Sequence, residues 1–128
     1  MKRSDPKRIN PSEYSPLSLA WLGDAVFELL LREKIIAEGN TGTDSLARKA
    51  RNYANAGAQS AYYKKIEPFL TEEELALLKR GRNAKSNTRA KSASVVDYRR
   101  ATGVEALYGY LFLKGDMERI LELFGMLE

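Results

Sequence analysis

One apolar stretch near the N-terminus constrains the fold of this chain more than any other feature. Residues 17–31 favour a helix and are rich in Leu, Trp, Val and Phe, and within them a carboxylate, Asp24, directly follows a glycine. An ionised carboxylate in apolar surroundings is costly to desolvate unless a positive group holds it. We therefore expect a metal ion, a buried base partner or a cation beside Asp24.

The rest of the chain also follows helical patterns. Five further segments carry capping residues or helical apolar spacing, and no segment shows the alternation of a strand. The predicted helices cover residues 16–37, 43–55, 58–66, 71–78, 94–114 and 117–126. We therefore expect an all-α fold in a single domain over residues 15–128, preceded by a flexible basic arm over residues 1–14.

Composition narrows the chemistry that such a domain can perform. The 128 residues include no histidine and no cysteine, which excludes Ser-His-Asp triads, Cys-His pairs and imidazole zinc sites. Hydrolysis would then depend on carboxylates, lysines, hydroxyls or hard metal ions. The net charge of +4 favours polyanionic partners. No apolar run could span a bilayer and no hydrophobic secretory signal is present, so we expect a cytoplasmic protein without membrane contact.

A second carboxylate, Glu105, also lies in a weakly polar helical stretch. Two helices that each place one acid on an apolar face could bring Asp24 and Glu105 together, and paired carboxylates without histidine suit Mg²⁺ or Mn²⁺. The alternative is that the two acids pair with arginines such as Arg99 or Arg100. Glu28 shares the face of Asp24 one turn later, and it either orients a ligand or forms an ordinary ion pair.

Residues 79–91 carry six basic residues, no acid and almost no apolar side chain, and are therefore predicted to form a loop. Lys and Arg neutralise phosphates, and the neighbouring Ser, Asn and Thr can hydrogen-bond them. Because no aromatic residues are interleaved, the loop suits a nucleic-acid duplex better than a stacked single strand. The alternative is a solvated surface loop. The candidate contacts are Lys79, Arg80, Arg82, Lys85, Arg89 and Lys91.

Two motifs resemble those of the ribonuclease III family. Residues 19–28 read LAWLGDAVFE and resemble the family's signature helix, whose centre is an aromatic, a leucine and then Gly-Asp. Residues 102–109 read TGVEALYG and resemble its second acidic motif, in which a glutamate precedes Ala-Leu and a glycine. With the short chain and the run RGRNAK at residues 80–85, the sequence resembles the bacterial Mini-III ribonucleases over residues 15–126. We therefore expect the helical bundle of a ribonuclease III endonuclease domain and no separate double-stranded-RNA-binding domain.

The resemblance also implies a function and the roles of individual residues. Asp24 and Glu105 would be metal-linked catalytic acids with Mg²⁺ as the cofactor, for which Mn²⁺ would substitute, and the basic set would bind RNA. Trp21 would occupy the aromatic position that packs across the dimer junction; its alternative is an internal core residue. The implied activity is metal-dependent cleavage of double-stranded RNA by a homodimer, with precursor 23S ribosomal RNA as the substrate.

The chain also departs from the pattern of full-length ribonuclease III. That protein has further acids at the positions matching Leu17, Ala20 and Thr102, so only Asp24 and Glu105 carry over as metal-linked acids. Water and phosphate oxygens would then complete the coordination of an ion. Mini-III enzymes share this smaller set of acids, and the departure therefore favours the subfamily. The rival interpretation is a catalytically silent helical RNA-binding or ribosome-associated module.

Overall fold

A computed structural model describes residues 10–85 and 94–127 of the chain. All regular structure in these ranges is helical, which confirms the predicted all-α class. None of the described helices is long and apolar enough to cross a membrane. Short 3-10 turns lie at Pro11–Glu13, Glu67–Phe69 and Gly125–Leu127. The α-helices are α1 (Pro16–Glu38), α2 (Thr43–Ala54), α3 (Ala56–Ile66), α4 (Glu72–Asn83), α5 (Val95–Lys114) and α6 (Met117–Phe124).

Side-chain caps lie at the start of five of these six described α-helices, among them α1, α4 and α5. The hydroxyl of Ser15 accepts a hydrogen bond from the backbone N–H of Ser18 at the start of α1. Thr71 and Glu74 form a reciprocal capping box at the start of α4, and Ser94 caps α5. Each cap satisfies a backbone donor that the first turn of a helix leaves unpaired. The observed starts of α1, α4 and α5 agree with the predicted ones.

Helix α4 extends further than the sequence predicted. It continues to Asn83, so the predicted loop is wrong for residues 79–83, whereas residues 86–93 lie outside the described part of the chain. The lack of apolar side chains suggested a loop here, but Gly81 has a packing role. A Cβ at this position would lie 2.7 Å from the Cβ of Ala106, so the glycine lets α4 pack closely against α5.

Helix α5 runs through the centre of the fold and packs against α1, α3 and α4. Every residue over 102–111 is buried except Glu105. Aromatic rings fill the adjoining core, where the centroids of Phe27 and Tyr108 are 5.5 Å apart. The hydroxyls of Tyr62 and Tyr108 share a hydrogen bond of 2.7 Å, and burial raises the pKa of both phenols above the usual range. Glu105 is thus the one residue of this segment that is partly exposed to solvent.

Part of the predicted N-terminal arm contacts the helices. The guanidinium of Arg80 donates hydrogen bonds to the carbonyl oxygens of Ser12, at 3.0 Å, and Tyr14, at 3.4 Å. The side chain of Tyr14 packs against the core. Residues 10–14, assigned to the arm from the sequence, are thus held against α4, and residues 1–9 lie outside the described part of the chain.

Candidate active site

Helices α1 and α5 cross in direct backbone contact. A Cβ on Gly23 would lie 1.7 Å from the carbonyl oxygen of Glu105, and a Cβ on Gly109 would lie 2.0 Å from the carbonyl oxygen of Leu19. These separations are far inside van der Waals contact, so only glycine at both positions permits the crossing. Since Asp24 directly follows Gly23, the crossing positions its side chain beside Glu105.

The carboxyl groups of Asp24 and Glu105 share a hydrogen bond at this crossing. Asp24 is exposed, whereas Glu105 is half-buried. Burial is the main cause that raises the pKa of Glu105 to about 8, followed by the negative charge of Asp24 and the hydrogen bond to it. At neutral pH Glu105 therefore carries a proton and donates the hydrogen bond to Asp24.

Neither of the arginines considered as ion-pair partners, Arg99 and Arg100, neutralises these acids. Arg100 donates a hydrogen bond to Oγ of Ser60 at 3.3 Å, and its guanidinium carbon lies 5.9 Å from the ring centroid of Tyr63. Within residues 10–85 and 94–127, no salt bridge joins Arg99 or Arg100 to either acid. The pair of acids therefore lacks the arginine that would neutralise it in the ion-pair interpretation.

The chemistry of this pair fits a hard divalent cation. Carboxylate oxygens are the donors that Mg²⁺ and Mn²⁺ prefer, and the repulsion that raises the pKa of Glu105 is relieved by a positive charge between the two groups. Among the described residues, no cluster of three or more acidic, histidine or cysteine side chains could hold a metal ion. The chain would therefore supply Asp24 and Glu105 alone, and the remaining ligands would come from water or substrate.

The neighbouring positions add no further ligand. Glu28 pairs with Arg32 at 2.6 Å, in agreement with its interpretation as an ordinary ion-pair partner. The hydroxyl of Thr102 donates to the carbonyl oxygen of Tyr98 at 3.0 Å, within its own helix. Ala20 is buried in the core, so neither Thr102 nor Ala20 supplies a carboxylate beside the pair.

The predicted RNA contacts do not form one set in the structure. The side chains of Lys79 and Lys85 are on exposed residues at the C-terminal end of α4 and just beyond it. Arg80 is engaged by the N-terminal 3-10 turn, as described above. Arg89 and Lys91 lie outside the described residues. Of the six predicted residues, Lys79, Arg80 and Lys85 are therefore exposed, and Arg80 among them also makes a structural contact.

The sixth predicted contact, Arg82, lines a cavity that sequence reasoning missed. The cavity has a volume of about 490 Å³ and lies where the end of α4 meets α3 and the first turns of α5. Its lining includes Lys64, Arg99 and Arg100 together with one carboxylate, Glu67. The basic doublets at 64–65 and 99–100 were the available signal, but they lie on different helices, and the sequence alone does not show that they face each other.

Trp21 lies on the solvent-facing side of α1. It is 83% exposed, and Leu17 one turn earlier is 39% exposed. Trp21 is therefore not a core residue of the single chain. An indole this exposed is unusual on a protein surface and is typical of an interface.

Comparison with known proteins relates the chain and its fold to one family. The chain matches the Ribonuclease III domain over residues 17–116, a range that includes Asp24 and Glu105. It is 44% identical to Mini-ribonuclease 3 of Clostridium tetani, over 94% of this chain and 78% of that protein. It is 49% identical to Mini-ribonuclease 3 of a Thermoanaerobacter species, over 85% of this chain and 79% of that protein. A crystal structure of a Fusobacterium nucleatum protein matches with a TM-score of 0.83 at 34% identity, covering 93% of this chain and 95% of that one.

Proposed function

The chain belongs to the ribonuclease III family, among its Mini-ribonuclease 3 members, and from this we propose that it is a metal-dependent endoribonuclease that cleaves double-stranded RNA. The observation that carries the proposal is the contact between Asp24 and Glu105, brought together from α1 and α5. A helical protein that only bound RNA would gain nothing from two carboxyl groups facing a phosphate. An arrangement of this kind is instead typical of metal-assisted hydrolysis.

Asp24 and Glu105 would hold Mg²⁺, with Mn²⁺ as a substitute. When bound, the cation supplies charge stabilisation to the phosphodiester and makes a water molecule more acidic. Glu105 carries a proton at neutral pH in the protein alone, so it must release that proton before it can bind a cation. The backbone contact at Gly23 holds together the two helices that carry the acids.

The charge of the chain supports a duplex RNA as the substrate. Lys79 and Lys85 are exposed at the end of α4, and their charges can neutralise backbone phosphates. We extend this proposal to Arg89 and Lys91 from their sequence alone. The Mini-III resemblance further suggests the double-helical stem of precursor 23S ribosomal RNA, and we propose that the protein acts on it in the cytoplasm.

We propose that the active form is a homodimer. The exposure of Trp21 and Leu17 on one side of α1 supports a contact between two copies of the chain. Each subunit would contribute one pair of Asp24 and Glu105, and each pair would cleave one strand of the duplex. Cleavage of both strands then requires two copies.

The deciding experiment is an assay on a purified RNA duplex with Mg²⁺, with and without a chelator. We expect cleavage by the wild type to stop in the chelator and to fall by at least about 100-fold in Asp24→Asn and Glu105→Gln, because each change removes an anionic metal ligand. Glu28→Gln is the matched control, since it lies one turn from Asp24 and pairs with Arg32; we expect it to retain activity.

Two outcomes would contradict the catalytic assignment. The first is a wild-type protein that binds duplex RNA but leaves it intact, which would favour the silent RNA-binding module. The second is normal cleavage by either acid variant, which would place the reaction elsewhere. Circular dichroism of both variants checks that the helical fold is retained.

A further inference from the structure

The cavity beside the end of α4 is strongly positive. Its lining contains one carboxylate, Glu67, and four cationic side chains: Lys64, Arg82, Arg99 and Arg100. None of the four forms a salt bridge with an acid within the described ranges. A concave surface with uncompensated positive charge attracts anions more strongly than a flat one.

Neutral contacts hold two of the guanidinium groups in place. Arg82 donates to the hydroxyl of Tyr63 at 3.2 Å and to Oδ1 of Asn83 at 3.0 Å. Arg100 donates to Ser60 and lies over the ring of Tyr63. These contacts position both groups without neutralising them, so several N–H donors remain for an anion. A guanidinium binds phosphate through two parallel hydrogen bonds, and phosphate is therefore the anion that the cavity fits best.

The cavity is separate from the pair of acids. Glu105 follows Arg99 by six residues on α5, which corresponds to about 9 Å along the helix axis and a rotation of about 120° around it. The backbone of Glu105 faces α1 at Gly23, whereas Arg99 faces the cavity with α3 and α4. A phosphate in the cavity is therefore not the one that would meet Asp24 and Glu105.

We propose that this cavity is a phosphate-binding pocket that holds a backbone phosphate of the RNA duplex away from the position of cleavage. The proposal rests on the proposed function, because it takes duplex RNA as the substrate. It adds Lys64, Arg99 and Arg100 to the RNA-binding surface. A phosphate bound equally in the ground state and the transition state contributes to affinity and leaves the chemical step unchanged.

The first test neutralises one cation of the pocket. We expect Arg99→Gln to raise the KM for duplex cleavage by about 3- to 10-fold and to leave kcat within about twofold. We also expect the number of counterions released on RNA binding, measured from the salt dependence of the affinity, to fall by about one. Lys114→Gln is the matched control, because it removes the same charge from the other end of α5, where Lys114 pairs with Glu73. Equal KM values for the two variants would overturn the proposal.

The second test changes the charge of the pocket in the opposite direction. Glu67→Gln removes its carboxylate, so we expect tighter duplex binding by about 2- to 5-fold. Glu73→Gln removes an acid outside the pocket and controls for the net charge of the protein. An identical gain in both variants would mean that overall charge, rather than the pocket, determines the affinity. Thermal unfolding of all four variants checks the fold.

The third test uses inorganic phosphate, because the same chemistry could recognise the free ion. We expect millimolar phosphate to shift the backbone amide resonances of Lys64 and Arg99 in the wild type, and we expect duplex RNA to displace it. Phosphate that stays bound when duplex RNA is added would overturn the assignment to RNA. If the wild type cleaves the duplex while Arg99→Gln and Lys114→Gln have the same KM, the proposed phosphate pocket is contradicted and the proposed function stands. If phosphate binds and duplex RNA displaces it but the duplex is not cleaved, the proposed cleavage is contradicted while the pocket still binds an RNA phosphate.

Discussion

At the scale of single residues, Glu105 depends on its neighbour for its protonation. Burial and the charge of Asp24 together raise its pKa to about 8, so the folded protein binds a proton that the unfolded chain releases near the ordinary pKa of 4.5. A raised carboxyl pKa in the folded state means that its contribution to stability is present below about pH 4.5 and lost as the pH rises to about 8. The protein without metal is therefore destabilised by ionisation of this acid.

This linkage predicts how Glu105→Gln responds to pH. In a chelator, we expect the variant to match the wild type near pH 4.5 and to become more stable by on the order of 4 kcal/mol by pH 8.5, since the amide cannot ionise. Thermal and urea unfolding between pH 4.5 and 9 measure the difference. Glu73→Gln, at an exposed acid, should show no comparable trend. A stability difference for Glu105→Gln that stays constant with pH would contradict the prediction.

Individual residues were predictable to different degrees. Asp24 and Glu105 were found because each stands out against apolar neighbours and lies in a family motif. The contacts of Arg80 could not be predicted from the sequence. Its position in a basic run suggested RNA contact, whereas its guanidinium donates hydrogen bonds to the carbonyl oxygens of Ser12 and Tyr14. Charge identifies where a side chain can act, but the partner of a long flexible cation depends on tertiary structure.

At the scale of helices, the crossing of α1 and α5 determines the geometry of the site. Alanine normally stabilises a helix relative to glycine by up to about 1 kcal/mol. At Gly23 alanine would instead destabilise the protein, because a Cβ there would collide with the backbone of Glu105. Intrinsic helix propensity is therefore overridden by packing between two elements.

We accordingly expect Gly23→Ala to lower the free energy of unfolding by about 3 kcal/mol or more, or to prevent folding altogether. Gly125→Ala is the matched control, since no atom lies within 4 Å of an added Cβ and its backbone is already helical; we expect a change below about 0.5 kcal/mol. Urea unfolding followed by circular dichroism measures both. A Gly23→Ala protein as stable as the wild type would show that the two helices can separate.

Helix boundaries were predictable where local chemistry determines them. The capping residues Ser15, Thr71 and Ser94 all mark helix starts in the sequence and in the structure. The end of α4 was not predictable in this way, because Gly81 continues the helix in contact with Ala106. A glycine that breaks a helix and one that permits close packing look alike in a single sequence.

At the scale of the whole molecule, exposed apolar side chains indicate where a second copy would bind. Trp21, the most exposed of the large hydrophobic residues described, is accompanied on α1 by Leu29 and Ile36, both also exposed. Burying such groups against a partner removes apolar surface from water. The fold was predictable from its helical periodicity, whereas assembly depends on which faces the packed helices leave uncovered.

We expect the wild type to sediment at micromolar concentration with twice the 14.4 kDa mass of one chain, and Trp21→Ser to shift the equilibrium toward the monomer by at least about tenfold. Sedimentation velocity over a concentration series measures both. Phe69→Ser is the control, because Phe69 is 63% exposed but lies outside α1, and we expect it to remain dimeric. A monomeric wild type would remove the basis for cleavage of both strands by paired centres.

The glycine contacts between α1 and α5 also limit how this site can be altered by engineering. Backbone atoms have no alternative rotamers, so the gap between the two helices at Gly23 and Gly109 cannot be retuned by repacking neighbouring side chains. The length of the acidic side chains at positions 24 and 105 is the property that can still be changed. A designer who wishes to accommodate a larger ion must therefore change the length of an acid, since the scaffold itself offers no adjustment.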